Sequence, residues 1–396
     1  MLSENRKKML RELCQDAIRT KSPSGREEGV ASLLGKTMRK LGFARVETDR
    51  LGNVVGQIPL GGGGKRLLLE GHMDHVGPGD LSKWVHDPWG AEIEDGKLYG
   101  RGTSDMKGNL CAMLMAAAFV AEDEGGTLRG EILVAGSVHE ECFEGVASEE
   151  IGKKWRPDGV IIGEASSLNL KRGQKGRAEV LVETLGKPAH SSRPSAGINA
   201  VKKMSRLIMD LEKNFVPPVH PVLGDGILEV TDIVSSPWPG ASVIPERCRA
   251  TFDRRLLPGE SEADVLEPLE RIFERLTKED PTFQARAVLA AGREKCCTGA
   301  DIEATRFAPG WILEENHPFV QKALEGLRSV GQNPELSHYT FCTNGSYYAG
   351  KAGIPTLGYG GSLEALAHTT DEYIELEQLY AACEGYCGII RAILKQ

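Results

Sequence analysis

The stretch Leu67-Leu68-Leu69-Glu70-Gly71-His72-Met73-Asp74-His75-Val76 decides the fold of this 396-residue chain. Its three leucines form a short continuous apolar run, which is typical of a strand buried on both faces of a parallel sheet. Polar side chains follow the run at once, beginning with His72 and Asp74. Because ligands of open α/β sheets gather beyond the carboxyl ends of the strands, this strand end is a candidate site.

Three further apolar strands, predicted at residues 130–135, within 157–163 and at 354–359, have the same form. Each is followed by acids or by a histidine, namely Glu140-Glu141, Glu164 and His368. Asp105 precedes an apolar helix over residues 110–120, where a carboxylate that caps the helix is the simpler interpretation if Asp105 is considered alone. The repetition of the pattern indicates that these groups converge at one edge of a sheet.

The segment between about residues 173 and 292 has a different pattern. Its strands alternate between apolar and polar residues, as half-buried strands do, and two amphipathic helices separate them. The order βαββαβ is that of a ferredoxin-like unit. A chain of 396 residues exceeds the usual size of one core. We therefore predict a catalytic domain made of residues 1–173 and 294–396, with residues 174–293 inserted as a second domain.

The first forty residues predict two helices, at 4–20 and 26–41, which the loop Ser22-Pro23-Ser24-Gly25 joins. Ser24 and Glu27 have the spacing of a capping box, in which the two side chains would cap the second helix.

Composition limits the function classes. A hydrophobic content of 40% and a charged content of 26% are ordinary for a soluble globular protein, and a net charge of -8 argues against a nucleic-acid partner. The start lacks the pattern of a signal peptide, and the longest apolar run, residues 110–120, is too short to span a bilayer. Nine irregularly spaced cysteines favour free thiols in the cytoplasm. We expect a cytoplasmic protein without a membrane partner.

The side chains at the strand ends suit a pair of divalent metals of borderline hardness, such as zinc. Two metals about 3.5–4 Å apart need a carboxylate that bridges them. A further carboxylate must remain unligated to take a proton from water and pass it to a leaving nitrogen. The adjacent pair Glu140-Glu141 fits a division into one base and one ligand, and Asp74 can hold the ring of His72.

The motifs resemble those of the M20 family of metallopeptidases and deacylases, which includes acetylornithine deacetylase and succinyl-diaminopimelate desuccinylase. Within the family, the chain is most similar to bacterial hydrolases linked by name to selenium metabolism. The motifs occur in the family's order and cover nearly the whole chain: Gly71-His72-Met73-Asp74-His75-Val76, Gly100-Arg101-Gly102-Thr103-Ser104-Asp105-Met106-Lys107-Gly108, Glu140-Glu141, Gly163-Glu164, Ala189-His190-Ser191-Ser192, Asp253-Arg254-Arg255-Leu256-Leu257-Pro258-Gly259 and Ala367-His368-Thr369-Thr370-Asp371-Glu372.

The resemblance implies an α/β fold. It would comprise a zinc-peptidase-like, three-layer catalytic domain with a central, mostly parallel sheet, and an inserted ferredoxin-like α+β domain that serves as lid and dimerisation domain. It also implies two divalent metal ions, zinc first, with cobalt or manganese as alternatives. One metal would be bound by His72 and Glu164 and the other by Glu141 and His368, with Asp105 as the bridge.

The same resemblance assigns further roles. Glu140 would be the general acid/base, and Asp74 the partner of His72. His190 would stabilise the oxyanion, in its own subunit or in the neighbouring subunit of a homodimer. Arg255 would lie near the carboxylate of the substrate or at the lid interface, and Asn344 would contact the substrate from a substrate-facing loop. A surface ion pair and a turn residue are the alternative interpretations of these two.

The function that we expect is hydrolysis of the amide bond of a small N-acyl or N-carbamoyl amino acid. Glutamate rather than aspartate at position 164 favours a deacylase over the alternative, a dipeptidase or aminopeptidase. A non-catalytic binding protein would be expected to lack ligands or the base, and this chain has all six. A nucleotide-binding oxidoreductase is disfavoured because no G-x-G-x-x-G follows the first strand. Two loops, Ser242-Val243-Ile244-Pro245 and Thr343-Asn344-Gly345, depart from the family pattern, so the resemblance does not fix the substrate.

Overall fold

The computed structural model describes residues 1–124 and 126–395. The chain forms two compact units: the first comprises Met1–Gln174, Arg293–Glu303 and Ile312–Gln396, and the second comprises Lys175–Gly292 and Ala304–Trp311. The predicted boundaries differ from this division mainly at Ala304–Trp311, which the prediction assigned to the catalytic domain. The segment belongs to the second unit because Phe307 and Ala308 form a strand that pairs with the strand Gly176–Leu185.

Helices account for much of both units. Within the described residues, the α-helices are α1 (Glu4–Arg19), α2 (Glu28–Lys40), α3 (Lys107–Glu124), α4 (Val146–Trp155), α5 (Ala200–Asn214), α6 (Glu262–Glu279), α7 (Pro318–Ser329) and α8 (Leu376–Leu394). A π-helical turn covers Ser346–Lys351, and short 3-10 turns cover Leu81–Lys83, Pro194–Ala196 and Glu364–Leu366. In this part of the chain no helix combines the length and the apolar character needed to cross a bilayer.

The strands are numbered in chain order. They are β1 (Arg45–Thr48), β2 (Val54–Gly61), β3 (Arg66–His72), β4 (Ile93–Glu94), β5 (Lys97–Tyr99), β6 (Gly130–Ser137), β7 (Gly159–Ile162), β8 (Leu170–Gln174), β9 (Gly176–Leu185), β10 (Val219–His220), β11 (Gly224–Asp225), β12 (Ile227–Ser236), β13 (Arg247–Leu256), β14 (Gln284–Leu289), β15 (Ala291–Lys295), β16 (Asp301–Thr305), β17 (Phe307–Ala308), β18 (Trp311–Ile312), β19 (Leu336–Tyr339), β20 (Thr356–Gly358) and β21 (Tyr373–Glu375).

The large sheet of the first unit has the order β1-β2-β6-β3-β7-β20-β8. Its centre is parallel, because β3 pairs in parallel with β6 and β7, and β7 pairs in parallel with β20. Its flank is antiparallel at β1, β2 and β6. Leu67, Leu68 and Leu69 are all fully buried although successive side chains point to opposite faces, so both faces of β3 are covered. The predicted central strand and the α/β fold class are confirmed.

Helix α3 is apolar on every side, as its sequence predicted, and all its residues from Lys107 to Val120 are buried. It packs against α8 and α1 and contacts β3. Asp105 lies just before this helix, so the loop that carries Asp105 is fixed against a fully buried element.

The second unit has the sheet order β12-β13-β9-β14, in which neighbouring strands are antiparallel. This is the strand order of a ferredoxin-like βαββαβ unit. Residues of α5 and α6, among them Leu207 and Phe273, bury alternate residues of the sheet such as Val180, Val182 and Phe252. The alternating pattern of the sequence thus arises from one covered face and one exposed face.

The predicted capping box is wrong. Helix α2 begins at Glu28 with no side-chain hydrogen bond at its N-cap, Glu27. The hydroxyl of Ser24 donates instead to Asp74 Oδ2 at 2.7 Å, and Glu27 Oε1 accepts from the backbone N–H groups of Gly25 and His139. Because α2 begins at Glu28, its N-cap is Glu27 rather than Ser24, and both side chains bind partners outside the helix.

We predict that Gly388→Ala destabilises the first unit. A Cβ at Gly388 in α8 would overlap the carbonyl oxygen of Gly326 in α7, and the converse holds for a Cβ at Gly326. Alanine gains about 1 kcal/mol of helix propensity, but the overlap costs more, and we expect the free energy of unfolding to fall by about 1–3 kcal/mol. Chemical denaturation measures it. Gly62→Ala, whose Cβ meets nothing within 4 Å, is the control; equal stability of both variants would contradict the prediction.

Candidate metal centre

The register of the parallel strands brings the predicted ligands to one edge of the sheet. His72, the last residue of β3, lies beside Ser137 of β6, so Glu140 and Glu141 follow a few residues beyond it. Glu70 of β3 lies beside Ile162 of β7, and Glu164 comes two residues after that strand. The carboxyl ends of neighbouring strands therefore deliver a histidine and three glutamates to one place.

Asp105 lies between the two histidines. Its Oδ1 is 2.9 Å from Nε2 of His72, and its Oδ2 is 3.1 Å from Nε2 of His368. Each carboxylate oxygen thus faces a different imidazole. This is the arrangement that a carboxylate bridging two cations requires.

The three glutamates divide between the histidines. Oε1 of Glu164 is 3.6 Å and Oε2 of Glu140 is 3.9 Å from Nε2 of His72, whereas Oε2 of Glu141 is 2.9 Å from Nε2 of His368. Two groups have ligand atoms that all lie within 4.8 Å of one another: His72 with Glu140 and Glu164, and His72 with Asp105 and Glu141. The structure therefore brings together all six residues of the predicted metal cluster.

The residues fit a pair of divalent cations. Glu140 and Glu164 are buried, and Oε1 of Glu141 is a buried oxygen that has no hydrogen-bond partner among the described residues. Carboxylates are almost never buried together unless a positive charge compensates them. Imidazole nitrogens with carboxylate oxygens are donors that suit zinc, cobalt and manganese.

The pKa values of Glu164 and His368 are shifted in the direction expected for closely spaced carboxylates that lack a compensating cation. Burial, together with the nearby charge of Asp105, raises the pKa of Glu164 to about 8. Hydrogen bonds to Asp105 and Glu141 raise the pKa of His368 to about 10. The folded chain therefore holds protons on groups that would act as ligands, and metal binding would displace these protons.

Asp74 supports the candidate centre through both its main chain and its carboxylate. The imidazole Nδ1 of His72 is hydrogen-bonded to the main-chain oxygen of Asp74, at 3.0 Å, and lies 3.5 Å from Asp74 Oδ1, so the two residues predicted as partners lie together. The fully buried carboxylate of Asp74 also accepts hydrogen bonds from the backbone N–H groups of Glu140 and Glu141 and from the hydroxyl of Ser24. One residue thus fixes the ring of His72 and the loop that carries Glu140 and Glu141.

Asn344, predicted to contact the substrate, is buried and hydrogen-bonded to other residues of the chain. Its amide nitrogen donates to Glu70 Oε1 at 2.8 Å and to Ser137 Oγ at 3.0 Å, and its amide oxygen accepts from the N–H of Gly145 at 2.7 Å. These bonds tie β3 and β6 to the loop after Glu141. They use both ends of the amide, and the substrate contact of Asn344 stays a prediction.

His190 and Arg255, the other residues with predicted substrate roles, belong to the second unit. His190 is exposed, and its Nδ1 accepts the backbone N–H of Ser192 at 3.1 Å. The guanidinium of Arg255 pairs with Asp253, with 2.7 Å between Nε and Oδ1. These contacts do not test the predicted oxyanion role of His190 or the predicted substrate role of Arg255, and both stay predictions.

Sequence reasoning missed residues that support the centre without entering it. Ser24 was assigned to a helix cap, and no role was given to Glu70, Arg101 or Glu372. Signals for some of them are present in the sequence: Glu70 is an acid inside an otherwise apolar strand, and Glu372 belongs to the motif that contains His368.

The comparisons with known proteins agree with the geometry. Residues 68–392 match the sequence profile described as Peptidase family M20/M25/M40. The Escherichia coli protein YgeY is 31% identical over 385 residues, which cover 95% of this chain and 92% of its own. The succinyl-diaminopimelate desuccinylase of Methylocella silvestris is 27% identical over 407 residues, covering 97% and 98% of the two chains. The Bacillus subtilis YXEP protein, a dinuclear metal binding peptidase from the M20 family, has a TM-score of 0.72 at 12% identity over 99% of both chains.

We predict that Glu164→Gln changes how the stability of the metal-free protein depends on pH. The folded chain keeps the Glu164 carboxyl protonated up to about pH 8, whereas its ordinary pKa is 4.5. Between these values the folded state binds more protons than the unfolded state, so stability falls as pH rises. The free energy of unfolding of the wild type, relative to Glu164→Gln, should decrease from about pH 5 to 8. Urea unfolding with a chelator measures it; a difference independent of pH would contradict the prediction.

Proposed function

Because this chain belongs to the M20 family of metal-dependent peptidases and deacylases, we propose that it hydrolyses the amide bond of a small N-acyl or N-carbamoyl amino acid. The observation that carries the proposal is the position of Asp105 between His72 and His368, with three glutamates around them. The relative named succinyl-diaminopimelate desuccinylase supports a substrate of this class. The presence of the complete set of ligands and of Glu140 argues for catalysis rather than for binding alone.

Two divalent metal ions would be held by the cluster. His72 and Glu164 would hold one, His368 and Glu141 the other, and Asp105 would serve both. We propose zinc, with cobalt and manganese as alternatives, because a set of two imidazoles and three carboxylates suits divalent metals of borderline hardness. When bound, the pair would supply Lewis-acid activation of a water molecule and of the scissile carbonyl.

Glu140 is the proposed general base and acid. Burial raises its pKa well above the ordinary value of a glutamate, which suits a group that both accepts and releases a proton. The N–H of Glu140 donates to Asp74 Oδ1 at 3.1 Å, which fixes its backbone. In the reaction, Glu140 would take a proton from the attacking water and deliver it to the leaving nitrogen. This division leaves Glu141, the neighbouring residue, as a ligand.

His190 is the proposed donor to the oxyanion. The N–H of Ser192 is a donor only, so Nδ1 of His190 must be the acceptor, and in the neutral ring Nε2 then carries the hydrogen. An exposed Nε2–H is suited to stabilise the negative charge that develops on the carbonyl oxygen. We also propose that Arg255 recognises the carboxylate of the substrate, a role for which a guanidinium is suited.

A reducing location fits the cysteines. All nine are thiols rather than disulfides in the structure, and most of them are buried. Such thiols persist in the cytoplasm, where disulfides are rare. We therefore propose a cytoplasmic enzyme.

We predict that Glu140→Gln lowers kcat by about 10²–10⁴-fold, because glutamine cannot transfer the proton. Bound zinc, measured by elemental analysis, should stay at the wild-type level. The assay uses N-acyl amino acids, N-carbamoyl amino acids and dipeptides, with the zinc and cobalt forms of the protein. Glu149→Gln, at a residue that pairs with Lys153 on α4, is the control and should retain full activity.

Two outcomes would contradict the proposed function. An unchanged rate in Glu140→Gln would exclude Glu140 as the base. If the wild type with two metals bound turns over only dipeptides, the enzyme is a dipeptidase; if it turns over nothing in the panel, it is not a hydrolase of this class.

We further propose that the protein is a homodimer through the second unit. Strand β12 is an edge strand of ten residues and carries exposed Ile227, Ile233 and Val234. A long edge strand offers its N–H and C=O groups to a second chain. Ile233→Lys should therefore convert the dimer to a monomer in sedimentation analysis. Val288→Lys, at an exposed position of β14, is the matched control and should remain dimeric. A monomeric wild type would refute the proposal.

A further inference from the structure

The carboxylate of Glu372 is fully buried and receives five hydrogen bonds from one short loop, Arg101–Asp105. Arg101 Nη1 donates to Oε2 at 2.7 Å, and the N–H of Gly102 reaches both oxygens at 3.1 Å. The N–H groups of Ser104 and Asp105 donate to Oε1 at 2.8 Å and 3.0 Å. Glu372 therefore fixes the main chain of the loop at Asp105 itself.

The loop has little regular structure of its own to fix it. It lies between β5 and α3, and Gly102 has φ +88°, a conformation that L side chains rarely adopt. This turn points successive N–H groups inward, and such a nest binds an anion. Hydrogen bonds from N–H groups to a charged acceptor are stronger than those to a neutral acceptor. Without Glu372, several buried donors of the loop would have no partner at this point.

Glu372 also connects two parts of the candidate metal centre that are far apart in sequence. It lies four residues after His368 and is followed by β21, which pairs with β5 just before the loop. Its main-chain oxygen accepts the N–H of Gly100 at 2.9 Å. A change in the Glu372 contacts would therefore shift Asp105 relative to His368.

We propose that Glu372 is a positioning residue that sets the orientation of Asp105 between His72 and His368, and that Arg101 completes its charge balance. The proposal rests on the proposed function, since it takes Asp105 as the ligand shared by two cations. Glu372 acts through the loop and touches neither metal nor substrate. Asp74 provides a parallel, because it receives the N–H groups of the loop that carries Glu140 and Glu141.

The test uses Glu372→Gln, which keeps the size of the side chain and replaces one acceptor oxygen by a donor. Cobalt(II) is titrated into metal-free protein and followed by its visible absorption. We expect cobalt affinity to fall by about 10–100-fold, as for other residues that orient metal ligands. Hydrogen exchange of the metal-free protein provides a second measurement, because the amides of residues 102–105 should exchange faster. kcat should fall with little change in KM.

Glu375→Gln is the matched control, because Glu375 is exposed and lies in the same segment, on β21. It should behave as the wild type in every measurement. Glu372→Gln leaves the Arg101 guanidinium buried without its carboxylate, which can prevent folding. The double variant Arg101→Met/Glu372→Gln removes both charges and is used if the single variant does not fold.

The proposal is overturned if a folded Glu372 variant binds cobalt within twofold of Glu375→Gln, or if exchange at residues 102–105 is unchanged. Failure of the proposed function has a different signature. In that case the wild type hydrolyses no substrate of the panel, while the dependence of cobalt affinity on Glu372 remains.

Discussion

Hydrogen bonds from main-chain N–H groups to two buried carboxylates, Asp74 and Glu372, are the constraint on which the candidate metal centre depends. The proposed ligands follow strand ends, where the sheet no longer fixes the backbone. Each of the two carboxylates lies in the loop of one histidine and accepts hydrogen bonds from a loop that carries acidic residues of the cluster. The loop of Asp105 is therefore held by Glu372, near His368, and the loop of Glu140 and Glu141 is held by Asp74, near His72. These bonds connect segments that are distant in sequence and fix the positions of their side chains relative to one another.

These hydrogen bonds hold together carboxylates that repel one another. Asp105, Glu140, Glu141 and Glu164 converge on the two imidazoles, and burial raises the pKa of Glu140 and Glu164. Such a cluster disfavours its own ionisation until cations bind. A preformed centre of this kind lowers the stability of the metal-free protein. Cations that bind only to the folded chain would stabilise it by mass action.

The second unit is built on a sheet with one covered and one exposed face. Its sheet has one face covered by α5 and α6, and its other face is exposed and carries both charged and apolar side chains, such as Arg286 and Val288. On that exposed face, arginines surround the nearly buried Glu183: Arg286 binds its Oε2, and Arg247 and Arg249 lie 3.4 and 3.7 Å from its Oε1. This fold places Arg255 on β13 and His190 in the connection that follows β9.

The sequence by itself determined the fold class, the ferredoxin-like insertion and the candidates for the metal ligands, because apolar periodicity and the residues at strand ends are local features. It did not determine which partners the polar side chains select. Asn344 reaches Glu70 across 274 positions, and Glu372 reaches Gly102 across 270 positions. The hydroxyl of Ser24 prefers Asp74 to its neighbouring helix. Phe307 and Ala308 extend a sheet begun more than a hundred residues earlier. Only the tertiary structure decided these pairings, because the strength of a hydrogen bond depends on burial and charge, and both are properties of the packed chain.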